Sequence, residues 1–271
     1  MTQDHIFTLL TQDYTLLPAT TEKELEAVKV LRREVFSKKF NLSVDTLEKE
    51  GYIFNEEDAQ SFIYLIKHNE SQSYVGTVRI FFINEQTPLK ELSMQRIGKV
   101  TGIDNYTKNL PLAEISRMCL KHNLPSHTTH STLQVRNILA YALMVMTRIN
   151  FFLYRPAMVF AVMETSLFRL LSRQNVFFQQ IAEPVEFYGI RIPYTIERNK
   201  LLQDTESTMG KVTRHYLKAL CTNPSDFWSF IDNNPYLART DTELERLCEL
   251  FHTHGDDVTL DMLLGDVSIH A

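Results

Sequence analysis

The stretch LAEISRMCL, residues 112–120, is apolar apart from Glu114, Ser116 and Arg117. This pattern predicts a strand, in which alternation puts Glu114 and Ser116 on one face and Ile115 and Arg117 on the other. An unpaired charge inside an apolar element costs several kcal/mol, so the carboxylate and the guanidinium each need a partner. The stretch therefore predicts either an internal ion pair or the polar wall of a site.

Two other apolar elements contain a charge in the same way. Arg79 lies within YVGTVRIFFI, 74–83, which is rich in β-branched and aromatic residues and predicts an antiparallel hairpin with SFIYLIK, 61–67. Arg32 lies four residues before Phe36 and therefore on the same face of a predicted helix. Three arginines and one acid in otherwise apolar elements predict one polar network that lines a site.

The remaining elements follow from hydrophobic periodicity. The helix that contains Arg32 begins at Thr21, because Glu24 completes a capping box with it. The other predictions are a loop over 48–58, a helix over 132–153, a strand over 157–163, a helix over 165–174 and strands over 176–181 and 185–190. This order of helices and strands predicts an α/β sheet with helices on both faces.

Composition and charge limit the function classes. The chain has 271 residues, of which 44% are hydrophobic and 23% charged, so wholesale disorder is excluded. Residues 201–271 hold five basic and twelve acidic residues, a net charge of −7, and predict an acidic helical extension after a domain over 1–200. Residues 110–180 carry a net charge of +5, which can attract an acidic partner. Nucleic acid is not expected, because no Lys/Arg-rich run occurs.

The location is predicted to be cytoplasmic. Three widely spaced cysteines form no disulfide framework, and the N-terminus has no basic region typical of a signal peptide. No uninterrupted apolar run reaches about 18 residues, so no integral membrane segment is expected. The spacing of His122, His127 and His130 fits no zinc pattern, and no metal site is predicted.

The order of the motifs resembles a known superfamily. LRxxxF over 31–36, an acidic loop, VGTVR over 75–79 and EISR over 114–117 resemble the acyl-homoserine-lactone synthases, which belong to the GNAT acyltransferase superfamily. Residues 163–176 and 184–194 resemble the acyltransferases associated with the PEP-CTERM/exosortase system and their relatives, the long-chain N-acyl amino acid synthases. The resemblance implies a GNAT-like mixed, mostly antiparallel twisted sheet flanked by helices, followed by the C-terminal helical extension.

The resemblance also implies an activity, namely transfer of a fatty acyl group from acyl carrier protein to the amine of an amino acid or similar small acceptor. No bound cofactor is expected, since the donor is carried on the phosphopantetheine of the carrier protein. A CoA thioester is a less suitable donor, because the turn over 121–130 has no glycine that lets backbone amides approach a pyrophosphate.

Residue roles are assigned on the same basis. The catalytic candidates are Glu114, Arg79 and Arg32. The substrate-binding candidates are Arg117, Ser116, Phe36, Glu57 and Asp58, together with Phe82, which belongs to the apolar residues expected to form a slot for the acyl chain. The candidates for carrier-protein docking are Arg136, Arg148 and Arg155, from the basic middle of the chain.

Three departures from the synthase pattern keep alternatives open. Glu56-Glu57-Asp58 stands where the synthases have a pair of aspartates, Phe187-Tyr188-Gly189 replaces Tyr-His-Gly, and the tryptophan after the first helix is missing. The alternatives are a homoserine-lactone synthase that uses S-adenosylmethionine and a non-catalytic GNAT-fold module that binds acyl chains. Glu114 is either a general base for the acceptor amine or only the partner of an arginine.

Overall fold

The structure is a computed structural model that describes residues 3–84, 91–98, 111–127, 130–203, 207–222 and 241–265. Its strands are β1 (Tyr14–Pro18), β2 (Ser61–His68), β3 (Tyr74–Ile83), β4 (Leu112–Leu120), β5 (Met158–Met163), β6 (Gln179–Gln180), β7 (Val185–Glu186) and β8 (Ile190–Glu197). Its helices are α1 (Gln3–Thr8), α2 (Glu22–Phe40), α3 (Val44–Lys49), α4 (Glu56–Ala59), α5 (Ser93–Gly98), α6 (Thr132–Tyr154), α7 (Thr165–Ser172), α8 (Arg198–Leu202), α9 (Thr208–Thr222), α10 (Asp241–His254) and α11 (Leu260–Leu264). A π-helical turn, Leu9–Asp13, follows α1, and a 3-10 turn, Gly255–Asp257, follows α10.

The strands form one sheet in the order β1-β2-β3-β4-β5-β8-β6, and the short β7 pairs with β8. Only the β4–β5 pairing is parallel among the described strands, and the other pairings are antiparallel. Helix α2 lies against β3 and β4, while α6 contacts β1 to β4 from the opposite side. The mixed, mostly antiparallel sheet with helices on both faces that the resemblance implies is thus confirmed.

Helix α2 has the start that the sequence predicts. The Thr21 hydroxyl accepts the backbone N–H of Glu24, and the Glu24 carboxylate accepts that of Thr21, so the capping box is complete. The helix ends at Asn41, which has a φ of 54° and closes it in the left-handed conformation. Its buried face contains Val28, Arg32 and Phe36, as the periodicity requires.

Helix α6 is the central helix of the main core. It is long and apolar enough to cross a membrane, but 89% of its most apolar window is buried inside the protein. Its apolar side chains pack against the face of the sheet that carries Phe62, Tyr64 and Phe82. The length and hydropathy of α6 are therefore those of a core helix.

The C-terminal helices share this core. Leu217 of α9 and Leu247 of α10 are fully buried in the same cluster as Leu139 of α6 and Leu9 near the N-terminus. The described part of 201–271 is helical, as predicted, whereas residues 223–240 and 266–271 lie outside the described residues. The division of the chain at residue 200 remains a prediction.

Several element predictions need correction. The segment 48–58 is not a plain loop, because it contains the end of α3 and most of α4. The strands expected over 176–181 and 185–190 shrink to the two-residue β6 and β7. The long strand here is β8, whose residues 192–197 pair with all six residues of β5, although Pro193 argues locally against a central strand.

Candidate active site

Four elements bring the predicted charged residues into one buried network. Arg32 of α2 contacts the Asp58 carboxylate with Nη1 2.8 Å from Oδ1, and Arg79 of β3 contacts Glu57 with Nη2 2.8 Å from Oε2. The side chains of Arg32 and Arg79 are 0% and 1% exposed. Burial without these carboxylates would cost several kcal/mol for each guanidinium, so the network is a condition of the fold.

The short helix α4 delivers both carboxylates. Asn55 caps it: the Asn55 side chain accepts the N–H of Asp58, and Asp58 Oδ2 accepts the N–H of Asn55 at 3.0 Å. Asp58 therefore holds α4 with one oxygen and Arg32 with the other. This arrangement fixes the direction in which Glu57 points, toward Arg79 and the cavity described below.

Strand β4 adds Glu114 and Ser116 to the network. Arg79 donates from Nε to the Ser116 hydroxyl at 2.9 Å, and its Nη2 lies 3.7 Å from Glu114 Oε1. The other carboxylate oxygen of Glu114 accepts the backbone N–H of Met94 at 3.0 Å. Arg79 thus stands between Glu57 and Glu114 and orients both.

A β-bulge in β4 corrects the predicted alternation. Thr77 pairs with Cys119 and Arg79 with Ser116, so Arg117 and Met118 together face Val78. Arg117 has a φ of 51°, in the left-handed region that a side chain rarely adopts.

Because of the bulge, Arg117 reaches the network rather than the opposite face. Its guanidinium donates to the carbonyl oxygens of Tyr52 and, at 2.7 Å, Gly51, and its Nε lies 3.5 Å from Asp58 Oδ2. The prediction that Arg117 lies on the other face of the sheet from Glu114 is therefore wrong.

Strands β4 and β5 separate after Ile115 and Ala161. Their pairing runs from Leu112 opposite Met158 to Ile115 opposite Ala161, and both strands then continue unpaired with each other. The opening leads into a cavity of about 600 Å³ that extends from the charged network to the α6 side of the sheet.

The cavity wall changes character along its length. One end is lined by Arg79, Glu114 and Ser116. The other end is lined by apolar residues of the main core, which are Ile115, Met144, Ala161, Leu171 and Phe178. The cavity thus joins a polar part beside the charged network to an apolar part in the main core.

Further charged residues at the cavity were not singled out from the sequence. Arg96 of α5 pairs with Glu57, and Lys39 and Arg191 both pair with Glu164. The signal that found Arg79, a cation between β-branched residues, was also present at Arg191, which stands between Ile190 and Ile192. Lys39 and Arg96 lie in ordinary polar surroundings in the sequence and carry no such signal.

The charges of the network stabilise one another. Burial would raise the pKa of Asp58, but Arg32, Arg79 and Arg117 outweigh it and hold the pKa below its ordinary value. Burial and then the positive charge of Arg79 lower the pKa of Arg117 to about 9, so Arg117 is still protonated at neutral pH. At pH 7 Asp58 and Arg117 are therefore both charged, in a space that excludes most water.

Some of the other predicted site residues lie elsewhere. Phe36 lines the cavity, but Phe82 packs in the core against the rings of Phe62, Phe151 and Tyr154. Phe82 is 2% exposed and is not among the residues that line the cavity, so the structure does not support its predicted place in the acyl slot.

The predicted docking arginines do not form a common surface. Arg148 is 1% exposed and donates to the carbonyl oxygen of Leu202, so it is not available to a partner. Arg155 pairs with Glu243 and donates to the carbonyl oxygen of Leu264, which ties it to the C-terminal helices. Arg136 is partly exposed and donates to the carbonyl oxygens of Lys121 and His122. Arg136 alone remains a docking candidate.

Asp58 gives the protein a predictable sensitivity to acid. Its pKa is lowered from 3.8 in the folded state, so the unfolded state binds the proton first and the stabilising contribution, present above about pH 3.8, is lost as the pH falls through the folded-state value. We expect Asp58→Asn to destabilise the protein strongly at pH 7 and progressively less toward pH 2. Urea unfolding of both proteins across this range measures the difference, and a constant difference would contradict the prediction.

Comparisons with known proteins agree with this architecture. Residues 31–134 match the family model described as an acetyltransferase (GNAT) domain. The structure of FeeM, an N-acyl amino acid synthase from uncultured soil microbes, superposes with a TM-score of 0.53 at 14% identity, covering 72% of this chain and 95% of FeeM. No match is found among the curated proteins.

Two further structures overlap more loosely. The AHL synthase LasI has a TM-score of 0.39 at 12% identity and covers 69% of this chain and 90% of its own. TofI, in a ternary complex with an inhibitor and MTA, has a TM-score of 0.41 at 14% identity, covering 74% of this chain and 100% of its own. Residues 31–134 are thus similar to a GNAT domain, and the chain shares its fold with FeeM.

Proposed function

We propose that this chain, whose residues 31–134 match a GNAT domain, is an N-acyltransferase that moves a fatty acyl group from acyl carrier protein to the amine of an amino acid or similar small acceptor. The observation that carries the proposal is the continuity of the cavity. Its apolar end, with Met144, Leu171 and Phe178, suits an acyl chain, and its polar end, with Glu114, suits the amine and the thioester carbonyl. FeeM, which shares this fold, is described as an N-acyl amino acid synthase.

The reaction assigns a task to each part of the polar end. The acceptor nitrogen attacks the thioester carbon, a C–N bond forms, the C–S bond breaks and the thiol of the donor leaves with a proton. The α-amine of a free amino acid is mostly protonated at pH 7, so a base must remove a proton before or during the attack. Glu114 is placed for this, directly or through a water, because one of its oxygens is fixed by Met94 and the other faces Arg79.

The oxyanion of the tetrahedral intermediate needs donors. The bulge at Arg117–Met118 interrupts regular pairing beside the opening between β4 and β5, and backbone N–H groups there are our candidates. Arg79 and Arg32 have positioning roles in this scheme, because they hold Glu57, Asp58 and Glu114 and are themselves almost completely enclosed.

The start of α6 supports a carrier-protein donor over CoA. Ser131 and Gln134 cap the helix reciprocally, so side chains of the protein itself already occupy backbone amides there, and no glycine stands in 121–130. The phosphopantetheine of a carrier protein brings one phosphate and needs no pyrophosphate cradle. We place the reaction in the cytoplasm, which suits the three free thiols.

Purified protein tests the proposal directly. We expect N-acyl amino acids when it is incubated with palmitoyl or decanoyl carrier protein and a mixture of amino acids, and less product with the corresponding CoA thioesters. Mass spectrometry of the products and release of free thiol measure the transfer. Ala161→Phe, which narrows the apolar end, should shift the products toward shorter acyl chains.

Two other results would overturn the proposal. A lactone formed from S-adenosylmethionine would identify a homoserine-lactone synthase. Retention of an acyl thioester without turnover, for every donor and acceptor, would identify a binding module. Glu70→Gln, in the exposed turn between β2 and β3, is the matched control for Glu114→Gln, and we expect it to leave the products unchanged.

A further inference from the structure

A second group of charges lies at the cavity, apart from the buried network. Lys39 at the end of α2 and Arg191 of β8 contact the same oxygen of Glu164, with Nζ 2.8 Å and Nη1 2.6 Å from Oε1. The other oxygen, Oε2, accepts the Ser166 hydroxyl at 3.3 Å. All three charged residues line the cavity, so one carboxylate there is shared by two cations.

The buried arginines cannot supply this charge to a substrate. Arg32, Arg79 and Arg117 are balanced by Glu57, Asp58 and Glu114. The side chains of Arg32 and Arg79 are 0% and 1% exposed, and that of Arg117, which is 13% exposed, donates to two backbone carbonyl oxygens and faces Asp58. Lys39 is 42% exposed, and Arg191, 10% exposed, shares its only carboxylate partner among the described residues with Lys39. A carboxylate that enters with a small acceptor therefore finds in Lys39 and Arg191 two cations that share a single carboxylate, Glu164.

The strand register places Glu164, the shared partner of Lys39 and Arg191, level with the bulge in β4. Ile115 of β4 lies opposite Ala161 of β5, and the strands are parallel. The same register continued by two to three residues puts the bulge at Arg117–Met118 level with Met163 and Glu164. The carboxylate and the amine of an α-amino acid share one carbon atom, so both can be accommodated at this level of the opening.

Contacts with the turn 187–189 hold the Arg191 guanidinium in place. Its Nη2 donates to the carbonyl oxygen of Tyr188 at 3.3 Å, and a Cβ on Gly189 would lie 3.6 Å from its Nη1. The turn 187–189 thus packs against the guanidinium. A planar guanidinium that is already oriented binds a carboxylate through two parallel N–H donors.

We propose that Arg191 and Lys39 form the site for the acceptor's carboxylate, which takes the place of Glu164 on one or both cations. This inference rests on the proposed acyl transfer and adds that the acceptor is an amino acid whose carboxylate is free. Glu164 keeps Ser166 as a partner and is partly exposed, so it can turn toward solvent when the acceptor binds.

The test compares an amino acid with the amine that lacks its carboxylate, for example leucine with 3-methylbutylamine. The quantity measured is the ratio of kcat/KM for the two acceptors with one acyl carrier protein donor. In Arg191→Met and Lys39→Met we expect this ratio to fall by roughly ten- to a hundredfold relative to wild type, the worth of a charge-assisted hydrogen bond. The intrinsic reactivities of the two amines cancel in this comparison.

The control is Lys38→Met, which removes the neighbouring exposed cation that does not line the cavity and should leave the ratio unchanged. Arg191→Lys keeps the charge and should restore part of the preference, which a purely structural role would not require. An unchanged ratio in both Met variants, with transfer intact, would overturn this inference alone. Loss of transfer to both acceptors in the wild type would overturn the proposed function, and the carboxylate site with it.

Discussion

Arg79→Met is expected to lower the free energy of unfolding by roughly 3–5 kcal/mol, the usual cost of removing one partner from a buried ion pair. The variant leaves Glu57, Asp58 and Glu114 in a space that excludes water, with less positive charge to balance them. It also removes the donor to Ser116. Since Arg79 orients two carboxylates at the cavity, acyl transfer should be lost even at temperatures where the variant is folded.

The matched control is Arg33→Met, one residue after Arg32 on α2. Arg33 pairs with Glu26 and Glu48 on the surface, where each ion pair is worth less than about 1 kcal/mol. Urea unfolding monitored by circular dichroism measures both variants. A destabilisation of Arg79→Met no larger than that of Arg33→Met would show that the network is not required for folding.

The sequence was sufficient for most elements whose signals are local. The capping box at Thr21 and Glu24 and the antiparallel hairpin of β2 and β3 depend on residues that are close in the chain, and the structure contains both as predicted. The clustering of Arg32, Arg79 and Glu114 was also predictable, because buried charges inside apolar elements must find one another. Alternation in β3 would also have placed Phe82 on the face opposite Arg79.

The features that were missed depend on contacts between distant segments. The bulge at Arg117 is set by the register of β4 against β3, where Val78 faces two residues. Arg148 is buried because Leu202 of α8 lies over it, more than fifty residues away in the chain. Strand β8 forms despite Pro193 because β5 pairs with residues 192–197 of it, on both sides of the proline. None of these partners is visible in a local window of sequence.

Glu114→Gln separates the two roles that the sequence leaves open for Glu114. The amide keeps an oxygen that can accept the N–H of Met94 and has nearly the same volume, so the cavity should retain its shape. If Glu114 takes the proton from the acceptor amine, we expect kcat to fall by roughly a hundred- to ten-thousandfold, the usual contribution of a general base. Such a loss, with a fold shown to be intact by circular dichroism, would distinguish a base from a residue that only pairs with Arg79.

The pH dependence sharpens this distinction. Without a base, the reaction depends on acceptor that is already deprotonated, so the rate of Glu114→Gln should rise with pH for as long as the acceptor amine is losing its proton. The wild type should reach its full rate at lower pH, because Glu114 removes the proton during the attack. Steady-state rates between about pH 6 and pH 9 measure both profiles. Identical profiles, with kcat reduced less than about tenfold, would leave Glu114 as the ion-pair partner of Arg79 and would move the search for the base to Glu57, the other carboxylate that Arg79 holds at the cavity.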